Sequence, residues 1–261
     1  MIFDFVEDDR FPEFYKKCRN TGTFFYKKAV SREYTDSYFQ EEYKKQYSKT
    51  YREDETNLRN LAKKRLSLLA KYAPLEGKLF EIGCASGYFL DEAKKAGFAV
   101  SGIEISQSES AFARSIGLDV ATVSMFDYAK DDKFSVICAF FVLEHFPDLE
   151  QIFARISNLL LPGGLLFLGL PSAAGPVFST NPTEWFKTHP TDHFYDFTPQ
   201  AFKKTMQRTG LEVIHASPMS YHRERDKGWK GQLPEFLYRK LADLTCYGDT
   251  IHTIAKKINN R

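Results

Sequence analysis

The sequence predicts an α/β fold built around a parallel sheet. Two observations carry this. Between about residue 78 and residue 170, short apolar runs alternate with amphipathic stretches, and glycine closes several of the latter. One run, Phe134 to Phe140, is apolar almost throughout, as a central parallel strand buried on both faces should be. The 261 residues suffice for one such domain with an added segment.

In order along the chain, the first segment, to about residue 75, is charged and aromatic. Tyr34, Tyr38, Phe39, Tyr43, Tyr47 and Tyr51 recur roughly every four residues, which sets them along one helical face. Asn57 to Tyr72 reads as an amphipathic helix ended by Pro74. Lys78 to Ile82 is the first strand of the alternating region, and Tyr88 to Ala96 a helix stopped by Gly97. Strand Phe98 to Ile105, helix Ser108 to Ile116, strand Asp119 to Val123 and strand Phe134 to Phe140 follow. A helix from Leu149 to Leu161 ends at Pro162-Gly163-Gly164, and Leu165 to Leu170 is the next strand. Ser172 to Thr198 lacks periodicity and reads as a long functional loop. Thr198 is placed to cap a helix to Arg208 with Pro199 at its first position. Strand Leu211 to Ala216, a helix Leu233 to Leu244 within an insertion over 218–247, and strand Thr250 to Ala255 complete the chain.

Composition excludes several classes. A net charge of +2 is too balanced for a nucleic-acid footprint. Cys18, Cys84, Cys138 and Cys246 form no C-x-x-C pair, so neither a zinc site nor a disulfide framework is expected, and reduced thiols fit a cytoplasmic protein. The acidic start, MIFDFVEDDR, lacks the order of a signal peptide. The longest apolar stretch, around Leu159 to Leu170, is broken by Pro162 and two glycines and is too short to span a bilayer.

Candidate functional residues fall at the carboxyl ends of successive strands, where ligands bind in open α/β sheets. In Phe80-Glu81-Ile82-Gly83-Cys84-Ala85-Ser86-Gly87-Tyr88 a strand passes through small residues into a helix, and the glycines let backbone approach a ligand. A plain tight turn is the alternative. Glu104 closes the next strand, where an acid can accept from both hydroxyls of a ribose. Asp127 with Phe126 follows the third strand, suited to an amino group and a ring face. Ala139 to Asp148, which contains His145, follows the central strand. His145 is a candidate proton acceptor or a histidine merely hydrogen-bonded in a loop.

With these motifs in this order, FEIGCASGYFL, VSGIEIS, VICAFFVLEHFPD and LLLPGGLLFLGLPS, the chain resembles the class I S-adenosylmethionine-dependent methyltransferases, small-molecule branch. Ubiquinone-type O-methyltransferases and sugar methyltransferases are among the neighbours. The resemblance implies a Rossmann-like, doubly wound seven-stranded sheet with the last strand antiparallel. It implies an N-terminal helical lid over residues 1–75 and a methyltransferase domain over 76–261. It implies that Glu81, Gly83, Cys84, Ala85 and Gly87 line S-adenosylmethionine, that Glu104 holds its ribose, and that Ile105, Phe126 and Asp127 meet its adenine. Ala139 and Phe140 are expected at the methionine moiety, and Tyr47 and Tyr51 at the cofactor from the lid. Ala85 stands where many relatives have glycine. S-adenosylhomocysteine is the expected product.

Methyl transfer from a sulfonium needs acceptor positioning and, for an oxygen acceptor, removal of a proton. His145 and His193 are the candidates for that work, with Trp185, Phe186, Phe194 and Tyr195 as pocket walls or as packing residues. No metal is expected, since Pro190 between His189 and His193 argues against one helical face. The expected partner is a small-molecule acceptor, with the insertion from Tyr221 to Lys240 a candidate partner or homodimer contact. A scaffold acting through a partner, or a nicotinamide-dependent oxidoreductase, are the rival readings. The latter expects G-x-G-x-x-G, whereas Gly83-Cys84-Ala85-Ser86-Gly87-Tyr88 lacks the second and third glycines.

Overall fold

Seven strands form a sheet in the order β10-β11-β8-β7-β4-β5-β6, and four more form a second sheet, β1-β2-β3-β9, in this computed structural model, which describes residues 1–32 and 48–258. The elements are β1 (Phe5–Glu7), β2 (Tyr15–Cys18), β3 (Phe24–Tyr26), α1 (Glu55–Leu69), β4 (Lys78–Ile82), α2 (Tyr88–Ala96), β5 (Ala99–Glu104), α3 (Gln107–Ser115), β6 (Asp119–Thr122) and β7 (Phe134–Phe140). They continue with α4 (Leu149–Leu159), β8 (Leu160–Pro171), α5 (Pro176–Thr180), α6 (Pro182–Thr188), β9 (Tyr195–Asp196), α7 (Pro199–Arg208), β10 (Leu211–Pro218), α8 (Glu235–Thr245) and β11 (Thr250–Lys257). The seven-stranded, doubly wound sheet expected from the sequence is therefore present, and β11 runs antiparallel to β10. Contacts group the chain into two units: Arg32–Ala139 with Asn158–Phe167, and Met1–Ser31 with Phe140–Ser157 and Leu168–Arg261.

In the first unit β4 pairs in parallel with β5 on one side and with β7 on the other, so the strand order reverses beside β4. Such a reversal opens a crevice at the carboxyl ends of the strands. Gly97 and Gly117 stop α2 and α3 in left-handed backbone, with φ of 120° and 82°. Phe80 stacks on Phe134 at 4.8 Å and beside Tyr128 at 4.9 Å within the core. Arg59 on α1 donates to Glu92 at 2.7 Å and also reaches Asp91 and Glu55, which ties α1 to α2.

The second unit departs from the sequence expectation at its start. Residues 5–26 carry the three short strands β1, β2 and β3, where a helical segment is expected. In β2 only Tyr15 and Cys18 are buried while Lys16 and Lys17 are exposed, and β3 buries Phe24 and Tyr26. The aromatic residues serve a small sheet because β3 finds a partner in β9, with Phe24 opposite Asp196 and Phe25 opposite Tyr195. The stretch 172–198, expected as a loop, carries α5, α6 and β9. Pro176 and Pro182 start the two short helices, each at a first helical position where no amide is needed. Thr198 caps α7 as expected, its side chain accepting from the Ala201 amide. The tyrosine stripe from Tyr34 to Tyr47 lies outside the described residues. Among the described residues, no helix is long and apolar enough to cross a membrane.

Candidate active site

The glycine loop after β4 is held in left-handed backbone, with φ of 69° at Gly83, 45° at Ala85 and 78° at Gly87. A Cβ at Gly87 would also lie 2.5 Å from Leu118 Cδ1 and 3.1 Å from Ala113 Cβ, so the left-handed backbone and the close packing both favour glycine there. Ala85 accepts the conformation at a steric cost of about 1–2 kcal/mol. Its amide donates to Glu104 Oε2 at 2.8 Å, which fixes the loop against the end of β5. Glu104 Oε1 accepts from the Ser106 amide at 2.9 Å. Glu104 is buried, and that burial raises its pKa against the pull of the backbone amides.

A second acid lies under the loop. Glu81 is buried on β4, and its Oε2 meets no donor. Burial drives its pKa well above the ordinary range, opposed by the charge of Arg65 and reinforced by Glu104. Arg65, on the inward face of α1, is itself buried and its pKa is lowered to about 10 by desolvation. The sequence shows Arg65 only as one member of an amphipathic pattern; its burial near Glu81 is a tertiary fact. Cys84 is buried, and burial pushes its thiol upward as well.

Ser86 hydrogen-bonds through Oγ to Glu109 Oε2, and Glu109 in turn donates its amide to Ser106 Oγ at 3.2 Å. Ser106 thus caps α3 through its side chain, while the Glu109 carboxylate turns back to the glycine loop. Sequence reasoning missed both, although the Ser-x-x-Glu spacing was there to be seen. It also missed Gly102, where an added Cβ would lie 2.8 Å from Leu90 Cδ1 and 3.0 Å from the Glu81 carbonyl. Ile105 and Phe126 stand 42% and 39% exposed at the ends of β5 and β6, two apolar surfaces left uncovered beside Glu104 and Asp127 in the chain. Asp127 accepts from Ser124 Oγ at 2.5 Å and is exposed. Ala139 pairs with Ile82 across β4 and β7. Tyr51 stacks 6.1 Å from Tyr88, the first residue of α2. Tyr47 lies outside the described residues.

The histidines belong to the second unit and are brought together. Phe141 adopts φ of 60°, unusual for a bulky side chain, and is fixed by its amide donating to the Gly169 carbonyl at 2.8 Å. A single turn of 3₁₀ helix, Leu143–His145, follows. The His145 and His193 rings lie 4.7 Å apart, edge to face. His145 Nδ1 lies 3.1 Å from the Asp192 carbonyl and 3.5 Å from its carboxylate, so this nitrogen carries the proton and Nε2 is the acceptor. His193 is held neutral, its pKa lowered to about 3 by burial and by His145. Near both is Glu144, fully buried, with neither carboxyl oxygen meeting a donor from another residue. Its pKa rises to about 8, chiefly from desolvation and then from Asp196 and Asp192. Glu144, His145 and His193 offer donor atoms within 4.8 Å of one another.

Phe140 is half-buried, its ring 6.5 Å from that of His252. Among the aromatics expected as pocket walls, Trp185 donates Nε1 to Tyr15 Oη at 2.9 Å, Phe186 stacks on Phe14 at 3.9 Å, and Tyr195 donates to the Pro147 carbonyl. They pack the short helices and β9 onto the N-terminal strands. His189 is committed to Asp196, its Nε2 2.8 Å from Oδ2, with Tyr15 Oη donating to the same oxygen at 2.7 Å.

Strand order, glycine loop and strand-end acids together define a nucleotide-type site on an α/β sheet. A family profile described as "Methyltransferase domain" matches residues 51–216. The chain belongs to that family, and it is a class I S-adenosylmethionine-dependent methyltransferase. It is 32% identical over 175 residues to the ubiquinone biosynthesis O-methyltransferase of Thiobacillus denitrificans, covering 60% of this chain and 75% of that one. With the protein of the same name from Rhizobium etli identity is 25%, covering 54% of this chain and 62% of the relative. Among solved structures, a SAM-dependent methyltransferase from Archaeoglobus fulgidus superposes with a TM-score of 0.59 at 19% identity, covering 85% of this chain and all of that one. The cofactor is S-adenosylmethionine, and the residues present fit it. A buried carboxyl oxygen on Glu81 that meets no donor, beneath a glycine loop held in left-handed backbone, is the feature such a ligand requires. The nicotinamide reading is set aside by the family.

Proposed function

We propose that this enzyme methylates an oxygen of a small-molecule acceptor, with His145 as the general base. The observation that carries the reading is the His145–Asp192 contact, which leaves Nε2 as a proton acceptor on a ring that Asp192 orients. An oxygen nucleophile needs such a base, whereas a neutral amine does not. The similarity to two ubiquinone biosynthesis O-methyltransferases supports an oxygen acceptor. S-adenosylmethionine supplies a sulfonium methyl group that is transferred by in-line displacement. His193, a weak base at a pKa of about 3, serves to orient the acceptor or His145 and not to take the proton.

On the cofactor side we assign Glu81, Gly83, Cys84, Ala85 and Gly87 to lining the ligand. Glu104 receives the ribose hydroxyls, and Ile105, Phe126 and Asp127 hold the adenine. Ala139 and Phe140 offer backbone to the methionine moiety. Tyr51, with Tyr47, belongs to a cover over the cofactor. Neither a metal nor a redox group is part of this reading.

The test measures S-adenosylhomocysteine formation with a panel of phenols, hydroxy acids and sugars, alongside calorimetric binding of S-adenosylhomocysteine. Glu104→Ala is expected to weaken that binding about 10- to 100-fold, from one or two charge-assisted hydrogen bonds. His145→Gln is expected to keep the affinity and lose about 10²- to 10⁴-fold in kcat. Parental kcat in His145→Gln overturns the assignment of the base, and turnover of amines alone overturns the oxygen acceptor.

A further inference from the structure

The insertion between β10 and β11 has no part in the reading above, yet it leaves several large apolar side chains in solvent. On α8, Tyr238 and Ala242 sit one turn apart and face inward, packed with Tyr247, Tyr221 and Leu233. The opposite face carries Phe236, Lys240 and Leu244 at spacings of four, with Leu237 beside them. Phe236 is 69% exposed and Leu244 76%, and Trp229 just upstream is 65% exposed. Leaving such side chains in water is unfavourable, and a cluster of exposed apolar side chains beside charged ones marks an interaction surface, a membrane surface among them.

The charges select the occupant. Glu235 is engaged by Arg239 at 2.6 Å and Arg223 at 3.3 Å, and Asp243 accepts from Tyr221 Oη at 2.5 Å. Lys230 lies over the Tyr247 ring at 3.6 Å. Among the described residues no carboxylate lies in ion-pair range of Lys240 or Lys227. Over residues 221–247 six basic side chains stand against four acidic ones, so the insertion carries an excess of positive charge, with Lys240 in the stripe itself. A second copy of this chain fits poorly. Two-fold pairing of antiparallel α8 helices sets the middle of the stripe, Lys240, against its own counterpart, burying like charges in an apolar seam. At a bilayer surface the same lysine lays its stem along the apolar face and its ammonium among the headgroups.

We propose that the outward face of α8, with Phe236, Lys240 and Leu244, docks the enzyme on an anionic lipid bilayer surface. The full-length protein is sedimented with sucrose-loaded vesicles of phosphatidylcholine alone or with about 30% phosphatidylglycerol. Binding at least about tenfold tighter to the anionic vesicles is expected, falling as salt is raised. Phe236→Ser with Leu244→Ser is expected to weaken it at least about tenfold, and Lys240→Glu to abolish the preference for anionic lipid. Both variants should keep the parental melting midpoint, since the residues are exposed. Protein left in the supernatant with both vesicle types, equal binding to both, or a double serine variant that binds like the parent overturns the proposal. So does a dimer in sedimentation equilibrium that the double variant abolishes while vesicle binding is absent, which gives the face to a second copy.

Discussion

Replacing Glu144 by glutamine is expected to stabilise the enzyme at neutral pH and to remove a pH dependence. Glu144 is fully buried, its oxygens meet no donor from another residue, and its pKa stands at about 8 against an ordinary 4.5. A carboxyl whose folded pKa exceeds its unfolded one binds its proton more tightly when folded. Its contribution to stability is therefore complete below about pH 4.5 and is lost as pH rises toward 8. At about 1.4 kcal/mol per pH unit, the loss reaches roughly 3 kcal/mol at pH 7 and nearly 5 at pH 8 and above. Glutamine keeps the neutral form at every pH, but its amide is also short of a partner, which costs about 1 kcal/mol. The net expectation is a variant more stable than the parent by about 2 kcal/mol at pH 7, with the difference vanishing or reversing near pH 4.5. Urea unfolding at pH 4.5, 6, 7 and 8 measures this. With a slope near 3 kcal/mol per molar, the pH 7 midpoint should move up by about 0.7 M. A variant less stable than the parent at pH 7 would show that Glu144 is ionised in the folded enzyme and would refute the reasoning.

Gly102→Ala should destabilise the cofactor-binding unit by about 1–3 kcal/mol, because the added Cβ meets the Glu81 carbonyl at 3.0 Å and backbone cannot yield. A thermal melt with and without S-adenosylhomocysteine reads it, and a variant that melts and binds like the parent contradicts the packing argument. Incubation with EDTA followed by desalting should leave turnover unchanged. Loss of turnover that a divalent cation restores would instead place that cation at Glu144, His145 and His193, whose donor atoms lie within 4.8 Å.

Legibility in the sequence followed the range of the forces involved. The parallel strands and their helices were readable because each announces itself locally. β7 is an apolar run broken only by Ser135, Gly97 and Gly117 sit where a left-handed residue must end a helix, and Thr198 with Pro199 marks a helix start. The N-terminal strands were not readable. Each is three or four residues long, too short to establish a period, and β3 is completed by β9 some 170 residues later. The stretch 172–198 looked like a loop because its helices span five and seven residues and are defined by a proline and a cap more than by an apolar stripe.

For the candidate site the division is similar. The order of strand-end residues, from Gly83 through Glu104 and Asp127 to His145, is a property of the chain, and the motifs that hold them carry the resemblance that names the methyl donor. What each residue touches was settled only on folding. Each Glu104 oxygen accepts one amide, from Ala85 or Ser106, Arg65 is buried beside the charge of Glu81, and the Glu144 carboxyl meets no donor from another residue beside two histidines. These follow from burial, which depends on elements distant in sequence converging on one point. A linear pattern records which groups can ionise or donate; only the packed chain decides which of them water can no longer reach.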